Sequence, residues 1–249
     1  QDWNCSMLRG GLVYSDYITT VSNTYSWEIQ TPNFGDGLDD ILRWRHERLW
    51  GIINGLDYKE WDPSSDKKIY TNYSVRDFRT RKRLNKKALQ KELNLPQDDS
   101  VLMLGLVSRL TDQKGLDLVD GIMDRLCSLN IQLVVLGTGA SNYENMFRYY
   151  AWKYPGKVSA NICYSDALSR KIYAAADAFL VPSAFEPCGL TQLISLRYGA
   201  VPIVHETGGL KDTVKPYNPM ENTGTGFSFA GYSSDELLGR IQHALFVYN

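Results

Sequence analysis

Ser183-Ala184-Phe185-Glu186-Pro187-Cys188-Gly189-Leu190-Thr191 follows the apolar run Ala178–Val181 and leads into Leu193, Ile194, Leu196 and Arg197. The apolar run has the length of a buried parallel strand, and the residues after the turn have helical spacing. Open α/β sheets bind ligands at such strand–turn–helix junctions, outside the carboxyl ends of their strands. The start of the helix presents backbone N–H groups that suit a phosphate or a developing oxyanion. A carboxylate would repel an anion there. Glu186 is therefore assigned to a neutral part of the ligand, such as sugar hydroxyls. The competing reading is a carboxylate interacting with the helix macrodipole.

Outward from this junction the pattern repeats. Residues 101–107, 131–136, 158–162, 178–181 and 201–204 read as five strands, with helices between most of them. Leu116, Val119, Ile122, Met123, Leu126 and Leu129 predict one helix, and Tyr143, Met146, Phe147 and Tyr150 another. Ser233 with Glu236 predicts a capping box ahead of Leu237, Leu238, Ile241 and Leu245. Strands alternating with helices mean βαβ units and a doubly wound, Rossmann-like parallel sheet, placed at 55–249. The first sixty residues lack this rhythm. They suggest a strand at 17–21, a helix capped by Ser22 and running to Ile29, loop chemistry at 31–37, and a helix within 38–49. A strand at Gly51-Ile52-Ile53 ends at the turn signal Asn54-Gly55. A polar helix at 85–93 is stopped by Pro96.

Composition narrows the function. The 249 residues carry a formal net charge of -1, which gives no basic footprint for nucleic acid. Hydrophobic content is 43% without a long apolar run, which argues against a membrane span. Cys5, Cys127, Cys163 and Cys188 form no C-x-x-C pair and predict free thiols in a reducing compartment. His46, His205 and His243 have no metal-ligand spacing. Gln1-Asp2-Trp3 reads as an artificial start, and 246–249 break off inside a predicted helix, so a fragment is expected.

Several turns could meet a ligand. Ser108-Arg109-Leu110-Thr111-Asp112-Gln113-Lys114-Gly115 leaves a strand and carries two cations. Arg109 can hold phosphate oxygens bidentately, and Lys114 supplies a point charge; two solvated surface charges are the alternative. Gly137-Thr138-Gly139 half resembles a dinucleotide fingerprint but lacks its third glycine. Thr207-Gly208-Gly209 would let backbone approach a ligand closely. Tyr164 could stack on a base or pack at an edge. Cys188 reads as a small side chain that fits its turn. Arg9-Gly10-Gly11-Leu12 leads into no strong helix and is treated as a decoy.

In combination these residues match a known family. Thr20-Val21-Ser22, Asn54-Gly55-Leu56-Asp57, Trp61-Asp62-Pro63, 108–117, Phe185-Glu186-Pro187-Cys188-Gly189-Leu190-Thr191-Gln192-Leu193, Tyr198-Gly199 and 207–214 occur in the order found in bacterial and plant glycogen/starch synthases. The chain resembles that family of retaining glucosyltransferases, which have the two-domain GT-B fold. The resemblance implies that 1–54 is the tail of the N-terminal domain with the hinge. It makes 55–249 the nucleotide-sugar domain, truncated at its end. It implies transfer of glucose from ADP-glucose to the non-reducing end of an α-1,4-glucan. Arg109 and Lys114 would hold the diphosphate, Glu186 would contact the donor glucose, and Cys188, Gly189, Leu190 and Thr191 would line the glucose and phosphate site. Tyr164 would stack on adenine, Thr207, Gly208 and Gly209 would line the same crevice, and Asn54 would reach the donor from the hinge. No metal or cofactor is expected. ADP or ADP-glucose and glycogen or starch are the expected partners, without nucleic acid or membrane, in a bacterial cytoplasm or, alternatively, a plastid.

The chain departs from the family at Ala184 and His205-Glu206, where many members carry arginines. The family's lysine–glycine–glycine loop and catalytic histidine are absent. Ile194, eight residues after Glu186, replaces the second glutamate of related families. A UDP-sugar transferase and a non-catalytic glucan-binding protein remain as alternatives, the latter drawing on six tryptophans.

Overall fold

The computed structural model describes residues 6–249. In chain order the strands are β1 (Ile18–Thr20), β2 (Leu49–Gly51), β3 (Leu102–Val107), β4 (Ile131–Leu136), β5 (Val158–Asn161), β6 (Ala178–Val181), β7 (Val201–His205) and β8 (Phe227–Phe229). The helices are α1 (Met7–Tyr14), α2 (Asn23–Glu28), α3 (Asp39–Trp44), α4 (Phe78–Glu92), α5 (Leu116–Asp120), α6 (Met123–Cys127), α7 (Ser141–Lys153), α8 (Asp166–Ala175), α9 (Thr191–Arg197), α10 (Gly208–Thr213) and α11 (Ser234–Tyr248).

Six strands form one parallel sheet in the order β5-β4-β3-β6-β7-β8. Side chains alternate across a strand, and here both faces are apolar. Leu102, Leu104 and Leu106 of β3 join Leu133, Leu180, Val119, Phe147 and Ile241 on one side. Met103 of β3 joins Phe179, Ile172, Tyr173, Tyr198 and Leu89 on the other. Burial on both faces is why the central strands β3 and β6 are continuous apolar runs, whereas the edge strand β5 carries Ser159 and Asn161. From β3 the order runs one way through β4 and β5, and from β6 the other way through β7 and β8. The crevice between the carboxyl ends of β3 and β6 is thus the switch point at which such sheets bind ligands. A separate parallel pair, β1 and β2, has its own small cluster of Ile18, Leu42 and Leu49.

The doubly wound sheet is as the sequence predicts, with several differences in detail. β8 is a sixth strand, only three residues long and too short for an alternation signal. The helix expected from Leu116 to Leu129 is two short ones, α5 and α6, jointed at Gly121-Ile122; glycine is a poor helix former. The strand expected at 51–53 lies at Leu49–Gly51, and the helix within 38–49 is α3 followed by a 3-10 turn at His46–Arg48. Arg9-Gly10-Gly11-Leu12 lies inside α1, which Ser6 caps and which buries none of its residues. Helix α4 starts seven residues earlier than expected. Its inner face is polar: Lys82 Nζ donates to the Tyr173 and Ala174 carbonyls at 3.1 Å, and Asn85 Nδ2 to the Thr71 carbonyl at 2.8 Å. Hydrophobic periodicity is blind to such a face. Ser22 caps α2 as predicted, accepting from the Tyr25 amide at 2.9 Å. The capping box at α11 forms by half. Ser233 accepts from the Glu236 amide, but the Glu236 carboxylate turns to the Gly231 amide.

Cys127, Cys163 and Cys188 are free thiols, while Cys5 and Gln1-Asp2-Trp3 lie outside the described residues. Among those residues no helix is long and apolar enough to cross a membrane.

Candidate functional site

The turn after β3 and the turn after β6 are locked together. Gly115 has φ +67, and a Cβ there would lie 1.9 Å from the Pro182 carbonyl oxygen. Only glycine combines that conformation with so close an approach. The Ala184 amide donates to the Gln113 carbonyl at 2.9 Å, and Gln113 Nε2 to the Phe185 carbonyl at 3.2 Å. This contact brings Lys114 to Glu186: Nζ lies 2.6 Å from Oε2, with the two side chains 18% and 11% exposed. Ser183 Oγ donates to the same oxygen at 3.0 Å. Glu186 thus lies ahead of α9 with its carboxylate on a cation and a hydroxyl. Such a charge-assisted bond is about twice as strong as a neutral one.

The crevice holds two adjoining hollows. One of about 360 Å³ is lined by Trp61, Arg109, Thr138, Tyr164, Asp166 and Tyr173 among others. Arg109 is exposed, and Tyr164 is 92% exposed, so its ring is available to a flat ligand. Burial pushes the Tyr173 phenol up to about 12, so it stays neutral. The second, smaller hollow is lined by Lys114, Ser183, Glu186 and Thr191, and it shares Val107 and Ser108 with the first. The smaller hollow, with Lys114 and Glu186, therefore sits at the switch point between β3 and β6, and the larger, with Arg109 and Tyr164, lies beside it over the ends of β3 and β4.

Other predicted residues form the floor. Gly208 (φ +44) and Gly209 lie under the Glu186 turn, where added Cβ atoms would come within 2.0 Å of the Glu186 and Cys188 carbonyl oxygens, respectively. The Gly209 amide donates to the Glu186 carbonyl at 3.0 Å. Cys188 is buried, and Gln192 Nε2 donates to its carbonyl at 2.9 Å and to that of Gly189 at 3.0 Å. Leu190 is the N-cap position of α9, whose first turn no side chain caps. Thr207, Gly208 and Gly209 line neither of these two hollows and are buried beneath the Glu186 turn. Asn54 is exposed on the segment after β2 and also lines neither, because that segment runs over the surface. Gly137 and Thr138 do line the larger hollow, although their fingerprint is incomplete.

Sequence reasoning missed Asp166 and Tyr173, and it used Trp61 only as part of a motif. It missed Glu28 entirely, whose Oε1 accepts from Thr207 Oγ1 at 3.0 Å and from the Gly208 amide at 2.9 Å. No local signal joins positions so far apart.

The family model for group 1 glycosyl transferases matches residues 85–246, covering the six-stranded sheet and every residue that lines the two hollows except Trp61. The chain belongs to the group 1 glycosyl transferases. A second model, the starch synthase catalytic domain, matches residues 1–44 of this glycosyl transferase. The chain is similar to the glycogen synthase of Lachnospira eligens, at 60% identity over 98% of this chain and 51% of that one. It is 56% identical to the glycogen synthase of Lachnoclostridium phytofermentans, again over 98% and 51%. The chain thus spans about half the length of the curated relatives it matches. Among solved structures it is similar to the catalytic domain of starch synthase IV from Arabidopsis thaliana bound to ADP and acarbose. That match has a TM-score of 0.90 and 34% identity, over 97% of this chain and 50% of the other. A sucrose-phosphate synthase from Thermosynechococcus elongatus, at TM-score 0.65 and 20% identity over 97% and 52%, shares the GT-B fold.

Proposed function

We propose that this chain is the donor-binding half of a glycogen or starch synthase. In this reading 1–54 is the tail of the N-terminal domain with the hinge, and 55–249 is the nucleotide-sugar domain. The full protein transfers glucose from ADP-glucose to the 4-hydroxyl at the non-reducing end of an α-1,4-glucan, with retention. The observation that carries the reading is the Lys114–Glu186 pair, 2.6 Å apart at the switch point, beside the hollow of Arg109 and Tyr164. The ADP and acarbose bound to the starch synthase IV domain support a nucleotide and a glucan as ligands.

Tyr164 stacks on the base, and Arg109 and Lys114 hold the diphosphate. Glu186 accepts from glucose hydroxyls, and the amides around Gly189, Leu190 and Thr191 face the phosphate. As the C1–O bond of the glucosyl phosphate breaks, negative charge grows on the leaving diphosphate, and preorganised cations and N–H groups lower that barrier. The acceptor oxygen bonds to C1 from the same face, and its proton passes to the leaving phosphate. Arg109 and Lys114 supply the positive charge, and the reading invokes no metal or cofactor. The bacterial relatives support a bacterial cytoplasm as the compartment.

A donor panel on the full-length protein with glycogen as acceptor tests the proposal. Transfer from ADP-glucose with an α-linked product is expected. Transfer from UDP-sugars alone would replace the donor assignment, and glycogen binding without turnover of any donor would overturn the enzymatic one. The 249-residue chain by itself is expected to bind ADP weakly and to turn over nothing; no calorimetric heat at millimolar ADP would count against Tyr164, Arg109 and Lys114 as a nucleotide site.

A further inference from the structure

Glu28 touches neither hollow, yet it holds the turn on which Glu186 rests. It is the last residue of α2, in the segment matched by the starch synthase model, whereas Glu186 lies in the part matched by the group 1 model. Its Oε1 takes two hydrogen bonds, from Thr207 Oγ1 at 3.0 Å and the Gly208 amide at 2.9 Å. Its Oε2 is buried and has no partner among the described residues. A buried carboxylate oxygen without a partner is costly, so the group is poorly explained as stabilisation for its own sake.

The turn it holds has no slack. The Gly209 amide donates to the Glu186 carbonyl at 3.0 Å, and Gly208 and Gly209 approach the Glu186 and Cys188 carbonyls too closely for any Cβ. A displacement of Thr207 and Gly208 therefore moves the Glu186 main chain and, with it, the carboxylate at Lys114. The opposite end of the contact is fixed by Asp212 of α10. It accepts from Ser22 Oγ at 2.5 Å, the Thr24 amide at 3.1 Å and Thr24 Oγ1 at 2.6 Å. Each of these two short helices thus has its start bound by a carboxylate of the other, which sets their register.

We infer that Glu28 is a positioning residue for Glu186. Its carboxylate holds the Thr207–Gly208 turn against the Glu186 main chain, so that residues before the sheet domain set the geometry of the sugar-binding carboxylate. The kinetic consequence rests on the function proposed above; the structural one does not.

The test compares full-length wild type with Glu28→Ala, Glu28→Gln, Asp212→Ala and Thr207→Val, reading amide hydrogen exchange and donor kinetics. In Glu28→Ala, exchange at 186–190 should quicken roughly tenfold or more, along with that at 207–210. Its kcat should fall roughly 10- to 100-fold, with KM for ADP-glucose within about twofold. Glu28→Gln keeps an oxygen that accepts both bonds and should restore both readouts to within about threefold of wild type. Asp212→Ala should loosen 22–24 while leaving exchange at 186–190 unchanged. Should Glu28→Ala fail to fold, Thr207→Val removes one of the two bonds without the charge and should give an intermediate quickening at 186–190. Unchanged exchange at 186–190 in Glu28→Ala or Thr207→Val overturns the inference. So does equal quickening there in Asp212→Ala, which would make Glu28 mere glue between segments. If wild type turns over no donor, the proposed function falls, and exchange alone still decides the role of Glu28.

Discussion

Two charge clusters flank the crevice, and they are built differently. Arg170 is 4% exposed and each of its three side-chain nitrogens has a carboxylate partner. It donates to the Glu60 carbonyl at 2.8 Å, to Asp66 and Asp166 at 3.4 Å, and to the Glu60 carboxylate. It also lies 4.2 Å over the Trp61 ring, and Tyr198 donates to the same Asp66 oxygen at 2.6 Å. Burial works against its charge, but Asp166, Asp66 and Glu60 outweigh it and hold the guanidinium above its ordinary value. Among the described residues the Glu186 carboxylate, by contrast, is held by Lys114 and Ser183 alone, and the pair faces a hollow. A buried cation enclosed by carboxylates has little left to offer a ligand. A pair that faces a hollow can exchange one partner for a substrate. The difference separates charge that maintains the wall from charge available for chemistry.

The comparison can be broken by substitution. Arg170→Ala strands Asp66 in the interior and should cost about 3–5 kcal/mol of stability in denaturant unfolding; among variants still folded, ADP affinity should be unchanged. A lost ADP site with intact stability would reverse the two assignments. Glu186→Ala should leave the melting point close to wild type and lower kcat of the full protein by about 10²–10³, and an unchanged kcat would remove it from the reaction. Lys114→Ala should lose roughly 1.5–3 kcal/mol of donor binding or transition-state stabilisation, read as kcat/KM for ADP-glucose, with wild-type kinetics as the contrary result. The smallest effect concerns the contact between α2 and α10. Burial alone would raise the Asp212 carboxyl, but bonds from Ser22 and Thr24 and the Asn23 amide outweigh it and hold the carboxyl below its ordinary value. Its contribution is therefore complete above the carboxyl's unfolded value, about 3.9, and is lost as pH falls through the lower folded value. Exchange at 22–24 should quicken across that acid window in wild type but not in Asp212→Asn.

Legibility differed by element for physical reasons. Ala178–Val181 was readable to the residue because a strand buried on both faces must be apolar throughout. The upstream turn of α4 was not, because Lys82 and Asn85 satisfy buried carbonyls where a stripe of leucines would have been visible. Within the site, Arg109, Lys114, Tyr164 and Glu186 stood out because they follow strand ends. Thr207, Gly208 and Gly209 were found, but not what they pack against. Their sequence marks a close approach, and the neighbour turned out to be the Glu186 main chain.

By itself the sequence determined the doubly wound sheet, the edge that carries the candidate site and the residue types along it, because period, turn chemistry and strand-end position are local properties. Tertiary structure alone decided which charges meet. Lys114 and Glu186 are 72 residues apart, and Glu28 and Gly208 are 180. Nothing local encodes such pairings. They exist because parallel strands joined by crossovers bring remote turns to one edge, and close backbone packing there leaves each side chain a single place to go.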